Sequence, residues 1–190
     1  MRTLIAGFGN VLRGDDGFGV EVIRRLREVD PPGGVVELMD VGTGGIRLAQ
    51  ELLSGYDRLI IVDAMTRDGV PGSVYVLEVD GVGPAERVDM HLTLPASALS
   101  AAKALGALPA RVFMIGCEPS EVNELSTELT APVRAAVDTA IRHIRALLGR
   151  DEQTLAQEHA ECNDPTCDCH TDPAGAAECH AARAQRGHEL

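Results

Sequence analysis

The segment Thr3-Leu4-Ile5-Ala6-Gly7-Phe8-Gly9-Asn10-Val11-Leu12-Arg13-Gly14-Asp15-Asp16-Gly17-Phe18-Gly19 decides the reading of the fold. Thr3–Ala6 is a short apolar strand, and a glycine-rich loop follows it. From Phe18 to Val29 the apolar residues Val20, Ile23, Leu26 and Val29 return at helical spacing, with Arg and Glu between them. A strand, a loop and an amphipathic helix in that order start an alternating α/β pattern.

The pattern continues outward. Pro31-Pro32-Gly33-Gly34 is a loop, and Val35–Met39 a second strand ending at Asp40. Gly44-Gly45 precedes a helix through Ile46, Leu48, Ala49, Leu52 and Leu53. Leu59–Val62 is continuously apolar, which marks a strand buried on both faces, and it ends at Asp63. Val74–Val79 alternates more and reads as an edge strand. Leu94–Leu105 reads as a helix, because Pro95 is tolerated in a first turn. Arg111–Ile115 is the last strand. Pro132–Leu148 is a long helix with an apolar face through Val133, Ala136, Val137, Ala140, Ile144 and Leu148. The expected architecture is three-layer αβα, a mostly parallel five-stranded sheet with helices on both faces. Ligands in such folds bind beyond the carboxyl ends of the strands. The stretches that matter are therefore Gly7–Gly19, Asp40–Gly45, Asp63–Met65 and Gly116–Glu118.

Bulk composition agrees. Aromatic residues are only 3% of the chain and Trp is absent, so the core must be built from Val, Leu, Ile and Ala. The formal net charge of -12 argues against nucleic acid or an anionic membrane surface as a partner. No apolar run reaches the roughly 18 residues of a membrane span. The first residues run straight into a strand pattern without the apolar region of a secretory leader, so a cytoplasmic location is expected. Composition shifts near Gly149. We divide the chain into an α/β domain over 1–149 and an acidic, Cys/His-rich tail over 150–190, read as flexible with a helical start. Residues 151–190 hold nine acidic residues against two Arg, with four of the six His.

The first loop is not a phosphate cradle. A dinucleotide fingerprint needs a third glycine where Leu12 stands, and a P-loop needs a Gly-Lys-Ser/Thr ending. Asp15 and Asp16 would also repel an anion from the helix start. One Asp there is explained by capping. A second, flanked by Gly14, Gly17 and Gly19, is free to face a ligand. Asp63 ends a buried strand, where a carboxylate is costly unless paired, bonded or bound to a cation. A cap for the turn Asp63-Ala64-Met65-Thr66 would also account for it. Asp40 ends the second strand in the same way, ahead of Gly42-Thr43-Gly44-Gly45. His91 lies just before a helix, where it can reach this acidic edge. His143 reads as a surface or packing residue. One imidazole and two carboxylates suit zinc, iron, nickel or manganese, with positions left for water or substrate. Gly-x-Ser-x-Gly and His-Glu-x-x-His are both absent. Cys117 reads as core filler rather than a nucleophile.

These residues resemble the hydrogenase maturation endopeptidases, which remove a C-terminal peptide from the large subunit of nickel–iron hydrogenases after nickel insertion. The resemblance spans residues 1 to about 149. It is carried by Gly7-Phe8-Gly9-Asn10-Val11-Leu12 with Asp15-Asp16-Gly17-Phe18-Gly19, by Asp40-Val41-Gly42-Thr43-Gly44, by Ile60-Ile61-Val62-Asp63-Ala64, by His91, and by Gly116-Cys117-Glu118-Pro119. It implies a peptidase whose catalytic and metal-contacting residues are Asp16, Asp63 and His91. Many relatives carry Glu where Asp16 stands. It implies substrate recognition by Asp40, Gly42 and Thr43, in a loop where Val41 replaces a usual glycine. The implied partner is the NiFe-hydrogenase large-subunit precursor. The implied metal is nickel carried by that substrate, with zinc or cadmium able to occupy the same ligands. A non-enzymatic nickel chaperone is the alternative, and an unrelated peptidase or amidase on the same fold is a third. In the tail, Cys162, Cys167, Cys169, His170, Cys179 and His180 are possible ligands for a soft metal. Asp164-Pro165-Thr166-Cys167 also looks like a segment that carries nickel ligands in the large subunit, with Thr inserted. The tail therefore reads as a metal store, a substrate mimic, or incidental thiols.

Overall fold

The computed structural model describes residues 1–29, 35–79, 93–122 and 125–161. Five strands, β1 (Thr3–Phe8), β2 (Val36–Gly42), β3 (Arg58–Ala64), β4 (Val74–Glu78) and β5 (Arg111–Cys117), form one sheet in the order β2-β1-β3-β5-β4. All neighbours are parallel except β4, which runs antiparallel to β5 at the edge. β3 is central and wholly buried, as its unbroken Leu59-Ile60-Ile61-Val62 run requires.

The helices are α1 (Phe18–Val29), α2 (Gly45–Leu52), α3 (Thr93–Ala104) and α4 (Ala131–Glu161). α2 and α3 share a core with Leu4, Ala6, Phe8, Leu59, Ile61, Val112 and Met114. Alternation sends the neighbouring residues to the opposite face. There Gly7 meets Ile23 of α1. The Arg25–Asp138 ion pair sets the first half of α4 beside α1. Val133, Ala136, Val137, Ala140 and Ile144 of that half are buried, the stripe that its periodicity predicts.

Four strands run two or three residues past their expected ends, through Phe8, Gly42, Ala64 and Cys117. Main-chain ladders do not require apolar side chains, so pairings such as Asp63 with Gly116 extend the sheet beyond its apolar runs. Two expected core positions of α2 are instead exposed. Ile46 is 75% exposed because it lies across the helix from Leu48, and Leu53 lies past the last helical turn. The β1–β2 ladder shifts register between Gly7 and Phe8, which pair with Asp40 and Gly42. Val41 is therefore the extra residue of a bulge. Its side chain packs into the α2–α3 core.

Packing divides the chain into two units, Met1–Ile144 and Arg145–Leu190. The boundary falls within α4, which continues unbroken through the expected helical start of the tail. Among the described residues, no helix is long and apolar enough to cross a membrane.

Candidate active site at the switch point

The chain runs outward from β1 to β2, then returns past β1 to build β3 on its other side. The carboxyl ends of β1 and β3 therefore bound a topological switch point, the place where open α/β sheets hold ligands. Asp63 stands near the end of β3, and Asp16 lies in a short 3-10 turn, Gly14–Gly17, that links β1 to α1.

Glycines let these segments close on one another. A side chain at Gly19 would collide with the carbonyls of Val62 and Phe8, so only glycine allows the start of α1 to sit between β1 and β3. Gly9 has φ +124 and lies against the carbonyl of Asp16, which excludes any other residue. The loop then folds on itself. Asn10 N–H donates to Asp16 Oδ2 at 2.9 Å, and Asn10 Oδ1 accepts from Leu12 N–H at 3.0 Å.

The paired acids separate into two roles. Asp15 is fully buried and accepts from Ser120 N–H at 2.8 Å, Glu121 N–H at 3.1 Å, Thr130 N–H at 2.7 Å and Thr130 Oγ1 at 2.9 Å. It tethers the first loop to the segment entering α4, with both carboxylate oxygens engaged. Neither Asp occupies the cap position of the 3-10 turn, which is Arg13. Asp16 is half-buried.

Asp63 is only 5% exposed, and Ala64 N–H donates to its Oδ1 at 2.9 Å. Burial pushes its carboxyl well above the ordinary aspartate range, the charge of Asp16 pushes it further, and the Ala64 bond opposes both. Asp16 and Asp63 thus meet electrostatically, though 47 residues separate them. His91, the third member of the expected set, lies outside the described residues. So do Cys162, Cys167, Cys169, His170, Cys179 and His180 of the tail. Among the described residues no cluster of three His, Cys, Asp or Glu side chains is poised for a metal ion.

The expected recognition residues flank the switch point. Asp40 is exposed on β2, opposite Gly7. Gly42 offers its carbonyl to Gly9 N–H at 3.1 Å, tying the two loops together, and Thr43 is exposed. Cys117 is buried at the end of β5, and burial, with the charges of Asp15 and Glu118, pushes its thiol up to about 12. A thiolate is unavailable there near neutrality. His143 is exposed on α4.

Sequence reasoning gave no role to Glu118. It is buried, and its carboxylate accepts Arg67 N–H at 2.9 and 3.1 Å and Tyr75 Oη–H at 3.0 Å. Its main chain bonds Ser73 and Gly72. Glu118 thereby fixes the loop that leaves Asp63. The signal was present, since Glu118 follows an apolar strand as Asp63 does.

Fold and site together define an α/β protein whose carboxylates face a switch point. The model of the hydrogenase maturation protease family matches residues 20–146. Hydrogenase expression/formation protein HupD of Rhizobium leguminosarum bv. viciae is 37% identical over 152 residues, covering 76% of this chain and 75% of that protein. The hydrogenase maturating endopeptidase HybD from E. coli superposes with a TM-score of 0.68 at 30% identity, covering 80% of this chain and 94% of HybD. The [NiFe] hydrogenase maturation protease HybD from Thermococcus kodakarensis gives 0.65 at 31% identity, over 77% and 99% of the two chains. The chain belongs to the hydrogenase maturation protease family, and it is an endopeptidase of hydrogenase maturation.

Proposed function

We propose that the protein trims the C-terminal extension from the large-subunit precursor of a NiFe hydrogenase, using nickel already in that precursor as the recognition element. The observation that carries this reading is the pair of carboxylates, Asp16 and a buried Asp63, at one switch point. Like charges held so near each other disfavour an empty site and favour an arriving cation. Asp16, Asp63 and His91 are the residues that would share the precursor's nickel, and zinc or cadmium suits the same oxygen and nitrogen donors. Nickel so held would polarise a neighbouring carbonyl.

The chain's own groups do the rest. Gly9 and Gly19 let the backbone close around the pair. Asp15 and Glu118 fix the two loops that carry it, so that Asp16 and Asp63 need no rearrangement when substrate arrives. Asp40, Gly42 and Thr43 form the adjoining rim on which the precursor is read.

Incubation with nickel-loaded precursor tests the proposal. A shortened large subunit is expected from the parent protein, and an intact one from Asp16→Asn or His91→Ala, with both variants folded. Normal trimming by either variant refutes the ligand assignment. Retained nickel binding with an uncut precursor would point to a chaperone instead.

A further inference from the structure

We propose that Arg67 is a specificity-determining residue of the protease, whose guanidinium takes a carboxylate of the precursor close to the scissile bond. The inference rests on the protease reading above and adds a charged contact to it.

Arg67 lies four residues past Asp63, on the loop that joins β3 to β4. It is exposed, and exposed arginines are ordinary. Its contacts are not. Glu118 is only 4% exposed, and a carboxylate so buried is best satisfied by a guanidinium. Instead both Glu118 oxygens accept the Arg67 main-chain N–H, at 2.9 and 3.1 Å, and one accepts from Tyr75 Oη at 3.0 Å. The Arg67 guanidinium lies over the Tyr75 ring, 5.5 Å from its centre, with no hydrogen bond or ion pair among the described residues. The fold thus anchors a cation by its backbone and leaves the N–H donors of its side chain for another acceptor. The loop is braced on both sides of Arg67. Met65 N–H donates to the Cys117 carbonyl at 2.8 Å, and Gly72 N–H to the Glu118 carbonyl at 2.8 Å. A side chain at Gly69 would collide with Tyr75 Oη, so glycine lets the loop close on the ring. A cation held in this way loses little freedom on binding.

Strand order and charge select the occupant. Along the carboxyl edge the sheet presents Asp40 on β2, Asp16 after β1, Asp63 on β3, and the Glu118–Arg67 contact beyond β5. Neighbouring strands are about 4.8 Å apart, so β2 to β5 is about 14 Å, the span of about four extended residues. A polypeptide laid along this edge and cut at the switch point meets the Asp40 rim at one end and Arg67 at the other. The short segment Glu118–Glu121 ties that end to the paired acids, because Ser120 and Glu121 N–H groups hold Asp15. A guanidinium fork matches a carboxylate, so the group it takes is an acidic side chain or the terminal carboxylate of the precursor.

The test uses the full chain and nickel-loaded precursor, with Arg67→Met and Arg67→Lys. KM and kcat are measured for trimming, and Kd for precursor binding is measured separately. Arg67→Met is expected to raise KM and Kd about tenfold, with kcat within about twofold. Its melting temperature should not change, because Glu118 is satisfied by the main chain and Tyr75. Arg67→Lys keeps the charge without the fork and is expected to lose about threefold. Two sets of altered precursor then find the partner. In one, each acidic side chain within about four residues of the cleavage site is replaced by its amide. In the other, added residues displace the terminal carboxylate. One of these precursors is expected to bind the parent about tenfold more weakly, and to bind Arg67→Met no more weakly than the unaltered precursor does. Unchanged KM and Kd in Arg67→Met overturn the proposal, as does a loss confined to kcat or one coupled to none of these carboxylates. A parent that binds precursor but never cuts it refutes the protease reading, while Kd still judges Arg67. A parent that does not bind precursor refutes both.

Discussion

Asp63 is a carboxylate in a place that favours its neutral form. Its pKa is raised in the fold by burial first and by Asp16 second. The stability that protonated Asp63 contributes is complete below the ordinary aspartate range and is lost as pH rises through the raised value. Asparagine keeps an oxygen for Ala64 N–H and has no charge to desolvate. Metal-free Asp63→Asn is therefore expected to melt a few degrees above the parent at pH 8, with the gap closing toward pH 4. Thermal melts in chelator across that range decide it, and a variant less stable at pH 8 would show that ionised Asp63 is well compensated. Cys117 leads to a second prediction at this scale. With its thiol pushed up to about 12, Cys117→Ala is expected to retain trimming, and native protein to react slowly with thiol reagents at position 117.

At the scale of elements, the site depends on loops that are stitched rather than packed. Asp15 joins the first loop to the start of α4 through four hydrogen bonds. Replacing it by Asn turns one acceptor into a donor that faces main-chain N–H groups. The expected cost is roughly 3 kcal/mol, with precursor trimming reduced through displaced Asp16. Chemical denaturation measures the first effect, and parental stability in Asp15→Asn would remove the tether from the account. Val41 shows how a bulge and a core residue cooperate. It is the unpaired residue of the β1–β2 ladder, yet its side chain is buried. Val41→Gly should cost about 2 kcal/mol through lost burial and added backbone freedom, and should loosen the Asp40–Thr43 rim. A higher KM with near-parental kcat is the expected kinetic signature.

For the whole molecule, the informative contrast lies between the α/β body and the residues beyond it. The core of Met1–Ile144 is closed on both faces of the sheet by α1 to α3 and the first half of α4. Removal of residues 162–190 is expected to leave the body's melting transition in place. If the tail thiols hold a soft metal, the same deletion lowers zinc or nickel stoichiometry, and an unchanged count discards that role. Ile61→Ala, at the centre of the sheet, should by contrast cost 2–5 kcal/mol, since a wholly buried side chain leaves a cavity.

The alternating pattern of strands and helices was legible in the sequence because period-2, period-3.6 and unbroken apolar runs report burial directly. The unbroken run before Asp63 placed β3 at the centre, and the weaker run at Val74 placed β4 at the edge. The stretches at the carboxyl edge followed from that pattern, whereas the switch point between β1 and β3 came only with the strand order. The division of labour between Asp15 and Asp16 was not legible either. It depends on Ser120, Glu121 and Thr130, more than a hundred residues away, and adjacent identical side chains carry no local mark of which will find such partners. The bulge at Val41, the grip of Glu118 on Arg67 and the bridge between Arg13 and Ser126 are likewise products of long-range main-chain contacts. Local sequence sets which side chains must be buried, whereas hydrogen-bond partners distant along the chain exist only once the sheet has brought them together.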